Sequence, residues 1–125
     1  WSLVPVGWRV VGWSGLVVGL ALAMWALAAN SFASAMARLQ PDRGQRVIDD
    51  GPYAIVRHPK YLGIVIIYPS LALALASLWA LVPASITIVL FVLRTTLEDR
   101  LLRAGLPGYR DYATRVRCRL IPGLW

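Results

Sequence analysis

The chain has 125 residues, 58% of them hydrophobic and only 15% charged, with a formal net charge of +7 from 13 Lys+Arg against 6 Asp+Glu. Water-facing domains ordinarily carry about 25% charged residues, so a mean hydropathy of +0.62 argues against disorder and against a soluble nucleic-acid binder, and points to a membrane chain whose cations meet anionic headgroups. One cysteine, Cys118, excludes an intrachain disulfide, and one histidine, His58, argues against a protein-built metal site.

No charged residue occurs from Val10 to Ala37, about 28 positions, where a helix crossing the hydrocarbon core needs about 20. This predicts one tilted membrane helix, A, within residues 1–37. Trp8 and Trp13 stand near its start as interface anchors, and Gly15 with Gly19 forms a small-xxx-small pair, with Gly12 on a related face. Such a glycine face can meet the other helices or a second copy, so the oligomeric state stays open. The first residue is Trp1 rather than methionine, which leaves room for residues upstream.

A second uncharged run, Tyr61 to Leu93, is about 33 residues long, or about 50 Å as one helix at 1.5 Å per residue. One span cannot use that length. Pro83 and the Ser77-Leu78-Trp79 segment mark a break, predicting a helical hairpin with B over about 61–77 and C over about 80–100, and Pro69 as a candidate kink in B. Arg38, Arg43, Arg46, Arg57 and Lys60 lie between A and B, while Arg94, Arg100, Arg103, Arg110, Arg115, Arg117 and Arg119 lie at or after the end of C. By the positive-inside rule both basic segments face the cytoplasm. The expected architecture is a single all-α membrane domain, 1–125. It has three transmembrane helices, a cytoplasmic linker over 38–60, the hairpin over 61–100, and a C-terminal helical cap over 101–125 lying on headgroups.

The linker contains Gly51-Pro52, a turn signal, and Pro59, which suits the first turn of helix B with His58 extended before it. The helix start, flanked by Arg57 and Lys60, is suited to a carboxylate or phosphate, and equally to simple contact with lipid phosphates. Helix C leaves the membrane with Arg94 and Glu98 at i,i+4 and Asp99 and Arg103 at i,i+4. These are either ordinary surface pairs or, at a membrane boundary, carboxylates waiting for a cationic ligand.

Read together, Gly51-Pro52-Tyr53, Arg57-His58-Pro59-x-Tyr61-x-Gly63, Arg94-x-x-x-Glu98-Asp99-x-x-Leu102 and Tyr109-x-x-Tyr112, with Val116 and Pro122, resemble the integral-membrane methyltransferases. That family includes isoprenylcysteine carboxyl methyltransferase and the phospholipid methyltransferases. The resemblance covers about residues 38–125 and implies S-adenosyl-L-methionine as methyl donor, with S-adenosyl-L-homocysteine as product. The sequence has no strand followed by GxGxxG, in keeping with a donor bound without a Rossmann domain.

The resemblance implies donor contacts from Gln45, Arg46, Val47, Ile48, Tyr53, Arg57, His58, Pro59, Lys60, Tyr61, Gly63, Glu98 and Asp99. It assigns Arg94 to the methyl acceptor and makes Arg94, Glu98 and His58 the candidate catalytic residues. His58 can serve as a donor contact, as a helix-start residue or as a base for an acceptor that must lose a proton. Cys118 reads as a packing residue. Asp99 stands where the family commonly has Glu, and Gly105-Leu106-Pro107-Gly108-Tyr109 replaces a frequent Phe-Gly, so the acceptor stays open among a prenylcysteine carboxylate, a lipid and a small hydrophobic molecule. The expected location is a bacterial inner membrane with the site facing the cytoplasm, membrane lipids as partners and no nucleic acid. Two other readings stand beside it: a nicotinamide-dependent membrane reductase of the sterol-reductase type, and a non-catalytic module binding anionic lipid.

Overall fold

Pro5 sets the start of the first helix. In the computed structural model, which describes residues 3–32, 39–41 and 44–125, its carbonyl accepts the N–H groups of Trp8 at 3.0 Å and Arg9 at 3.2 Å. Helix α1 therefore runs Val6–Ala29, and Arg9 lies inside it, a turn earlier than the charge-free run suggests. It also ends earlier. Asn30 is extended, and its side-chain carbonyl accepts the N–H of Phe32 at 2.9 Å, a local bond that competes with helical pairing. The predicted continuation of helix A is thus corrected at residues 30–32; residues 33–37, with Arg38 and Arg43, lie outside the described residues.

Pro59 opens helix α2, Pro59–Ala74, at the first helical position, where its missing N–H costs nothing. The helix stops because Ala76 takes a left-handed φ of 55°, and the N–H of Ser77 reaches back to the carbonyl of Ala72 at 2.9 Å, the bonding of a Schellman end. A 3-10 turn, Leu78–Ala80, leads into helix α3, Leu81–Gly105. The break predicted near Ser77 is present. Pro83, however, is a first-turn residue of α3 rather than the breaker, and α3 runs to Gly105, so Glu98, Asp99 and Arg103 all project from one continuous helix.

Helix α1, and the segment Leu78–Gly105 that carries α3, are long and apolar enough to cross a membrane; α2 is apolar but shorter. Large side chains such as Trp13, Val17, Trp25, Ile86 and Leu90 stay exposed, as suits lipid contact. The buried residues of α1 are instead Gly12, Gly19 and Ala26, seven apart, facing α2. A Cβ on Gly63 would stand 2.7 Å from the carbonyl oxygen of Gly19, and one on Gly19 would stand 2.9 Å from that of Gly63. Glycine at both positions is what lets the two backbones approach. The glycine face is therefore used inside the chain.

After α3, Gly108 with φ 82° turns the chain into the short helix α4, Tyr109–Arg115. Leu106, Tyr109, Tyr112, Ala113 and Val116 form a small core with Leu39, Val47 and Leu102. The last residues double back so that the carbonyls of Cys118 and Arg119 accept the N–H groups of Arg57 and His58, each at 2.9 Å. The C-terminal segment is thus joined to the linker as well as to α3.

Gly63→Val should separate α1 from α2 and lower the detergent-solubilised protein's stability by about 1–3 kcal/mol, read by thermal unfolding. Gly7→Val, whose Cβ meets nothing within 4 Å, should unfold like the parent chain.

Candidate functional site

Where the linker, the start of α2, the polar end of α3 and α4 converge, they enclose a cavity of about 660 Å³, counting its open mouth. The linker contributes Gln45, Arg46, Val47, Ile48, Tyr53, Arg57 and His58; α2 contributes Lys60 and Tyr61; α3 contributes Glu98 and Leu102. Three predicted donor contacts lie elsewhere. Pro59 and Gly63 do not line the cavity, and the backbone of Gly63 is occupied by α1. Asp99 lies behind the wall, 1% exposed, because it points from α3 into the junction of linker and tail.

The Asp99 carboxylate gathers four segments. Its Oδ1 lies 3.2 Å from Arg57 Nε, 3.3 Å from His58 Nε2 and 2.8 Å from the Tyr109 hydroxyl, which donates to it. Its Oδ2 accepts Arg103 Nε at 3.0 Å and faces Arg119 Nε at 3.5 Å. The Arg57 guanidinium is buried with the carboxylate; its Nε is near enough for an ion pair but out of line for a hydrogen bond, and among the described residues no other acceptor meets it. Burial pushes the Tyr109 phenol well above its ordinary pKa, and the charge of Asp99 adds to the rise. Tyr109 therefore remains a hydroxyl donor.

A second feature joins the cavity to the apolar side of the molecule. The Tyr61 hydroxyl donates to the Glu98 carboxylate through a short hydrogen bond and accepts Arg94 Nε at 3.0 Å. Its ring stands 5.5 Å from that of Phe91 and 5.5 Å from the Arg94 guanidinium carbon. Arg94 does not line the polar cavity. With Leu90, Phe91, Leu93 and Leu97 it lines a separate open groove on α3. Tyr61 thus connects the two concavities, with Glu98 on one side and Arg94 on the other.

Six lining residues were not in the predicted set: Asn30, Phe32, Leu102, Leu106, Tyr109 and Tyr112. Asn30 and Phe32 enter because α1 stops early, and the asparagine within the uncharged run was the available stop signal. Buried Gln40 helps hold this edge, donating Nε2 to the carbonyl of Phe32 at 2.8 Å and its N–H to Gln45 Oε1 at 2.7 Å. The two tyrosines belong to the Tyr109-x-x-Tyr112 motif, whose spacing places both on one face of α4. The Tyr112 hydroxyl donates to the carbonyl of Tyr53 at 2.6 Å, tying α4 to the turn at Gly51–Ala54. Burial raises the pKa of both the Tyr53 and Tyr112 phenols. Cys118 does not line the cavity; its sulfur accepts the N–H of Gly123 at 3.2 Å, within the tail.

A family model described as Phospholipid methyltransferase matches residues 8–106, from the first turn of α1 to the end of α3. No curated protein and no solved structure matches the chain.

Tyr112→Phe leaves the Tyr53 carbonyl without its buried donor, so stability should fall by about 1–3 kcal/mol. A detergent melt that stays at the parent midpoint would show that water replaces the hydroxyl.

Proposed function

The chain belongs to the phospholipid methyltransferase family, and from that membership and the cavity's side chains we propose that it transfers a methyl group from S-adenosyl-L-methionine to a lipid reached from the membrane, leaving S-adenosyl-L-homocysteine. The family is one of methyltransferases acting on lipid-type substrates, and two helices have the length and apolarity to span a bilayer. One observation carries the finer reading. Tyr61 bonds both Glu98, in a polar cavity, and Arg94, in an apolar groove, so a charged solute and a lipid can approach the same side chain from opposite sides.

The residues present fit the donor. It carries a carboxylate, an ammonium and a sulfonium, and the cavity presents Glu98 for a cationic part and Arg46, Arg57 and Lys60 for the carboxylate. Val47, Ile48, Leu102 and Leu106, with the ring of Phe32, offer apolar surface for an adenosine. Gln45 and Tyr53 border the same space. Pro59 and Gly63 are better read as the scaffold that starts α2 and seats it on α1.

When bound, the donor supplies an activated methyl group on a positively charged sulfur. The chain's own residues bind, orient and exclude water. In-line methyl transfer needs no protein nucleophile; holding two reactants in near-attack geometry contributes on the order of 7–11 kcal/mol in the best cases. Exclusion of water favours loss of the sulfonium charge. Arg94 orients a polar or anionic part of the acceptor, while Tyr61 and Glu98 fix the donor side. His58 Nε2 is engaged by Asp99 and lies 3.5 Å from the Tyr109 hydroxyl, so we assign it to the donor wall rather than to proton abstraction. The donor enters from the cytoplasmic side, where both basic segments lie by the positive-inside rule.

Titration calorimetry on the detergent-solubilised protein tests the donor, with S-adenosyl-L-methionine, S-adenosyl-L-homocysteine and a reduced nicotinamide as parallel ligands. Saturable binding of the first two is expected, and binding of the nicotinamide alone would favour a reductase. Glu98→Gln removes a charged partner worth about 1.5–3 kcal/mol, so donor affinity should drop about ten-fold or more. Arg94→Met should leave donor affinity nearly unchanged and raise the acceptor KM; the reverse pattern would exchange the two roles.

A further inference from the structure

We infer that Asp99 is a positioning residue for the donor site: it holds the cavity residues His58 and Tyr109 in place by tying them, through Arg119, to the C-terminal tail. The inference rests on the donor reading above and assigns Asp99 a role other than contact with the donor.

Asp99 lies outside the cavity lining, while all three groups that meet its Oδ1, Arg57 by ion pair and His58 and Tyr109 by hydrogen bond, line it. The opposite oxygen faces Arg103 and Arg119. Position is therefore passed across one carboxylate, from the tail to the wall. The main chain repeats the connection, because the N–H groups of Arg57 and His58 donate to the carbonyls of Cys118 and Arg119. The tail has the order needed to act as an anchor. Leu120 is 1% exposed, the N–H groups of Arg119 and Leu120 both donate to the carbonyl of Trp125, and the Arg119 guanidinium carbon stands 5.1 Å from the Trp125 ring. Neither Arg119 nor Trp125 lines the cavity.

A buried carboxylate among three guanidinium groups is costly to leave partly paired. Removing one cation from the outer side lets the carboxylate shift toward those that remain, and the imidazole and phenol bonded to it shift as well. Arg119 is the suitable point of attack, since its side chain is 32% exposed and can be replaced without opening the core.

The test is calorimetric titration of the detergent-solubilised full chain with S-adenosyl-L-homocysteine, recording stoichiometry beside affinity, for the parent, Arg119→Gln, Asp99→Asn and the double variant. Arg119→Gln should lose affinity about five-fold or more at full stoichiometry. Asp99→Asn should lose more, and the double variant should match Asp99→Asn within about two-fold, as residues acting along one path do. Parent affinity in Arg119→Gln overturns the inference. So do losses that multiply in the double variant, the signature of independent roles and of Asp99 touching the ligand itself. A fall in stoichiometry with parent affinity in the remaining protein also overturns it, since that is the result of fold support alone. If the parent chain fails to bind, the donor reading falls and this inference falls with it.

Discussion

One buried carboxylate holds the polar end of this molecule together. Asp99 is almost fully enclosed, yet it meets the linker through Arg57 and His58, its own helix through Arg103, helix α4 through Tyr109 and the tail through Arg119. Taking a carboxylate out of water costs several kcal/mol unless its lone pairs are met by charge and by hydrogen bonds. Here both oxygens are met, and the segments that meet them are far apart in sequence. The functional wall is assembled because the charge has no cheaper place to be.

The apolar end is governed by a different constraint. Between α1 and α2 there is little gain from burying apolar surface that lipid would cover as well, so association depends on close packing. Gly19 and Gly63 supply it through mutual backbone contact. That contact sets α2 against α1, and the start of α2 then places Lys60 and Tyr61 beside the linker. Packing in the membrane and charge at its surface thus meet on the first turn of one helix. Tyr61 stands at that junction, bonded to Glu98 on the cavity side and to Arg94 on the lipid side. A donor soluble in water and an acceptor soluble in lipid need such a boundary to meet with little exposure to solvent.

Much of this was legible in the residues. Charge-free runs and proline positions gave three apolar helices, and the family resemblance carried by the linker and α3 motifs implied ten of the sixteen residues that line the cavity. The failures have local causes. Asn30 stops α1 by bonding to the chain after it, which apolarity alone does not register. Pro83 sits in the first turn of α3, where proline is tolerated, so its presence marked the neighbourhood of the break and not its position. Asp99 and Glu98 are adjacent and chemically alike, but successive helix positions lie on different faces; one reaches the cavity and the other the junction behind it. The surroundings of Asp99 come from the linker, α4 and the folded tail, and that long-range closure left no periodic signature.

The most direct measurement of the account is transfer of a radiolabelled methyl group from S-adenosyl-L-methionine into the lipid fraction of vesicles containing the purified protein. Label extracted with lipid is expected in the parent protein, and its loss in Glu98→Gln. Donor binding without any label entering lipid, or transfer that continues undiminished in Glu98→Gln, would contradict it.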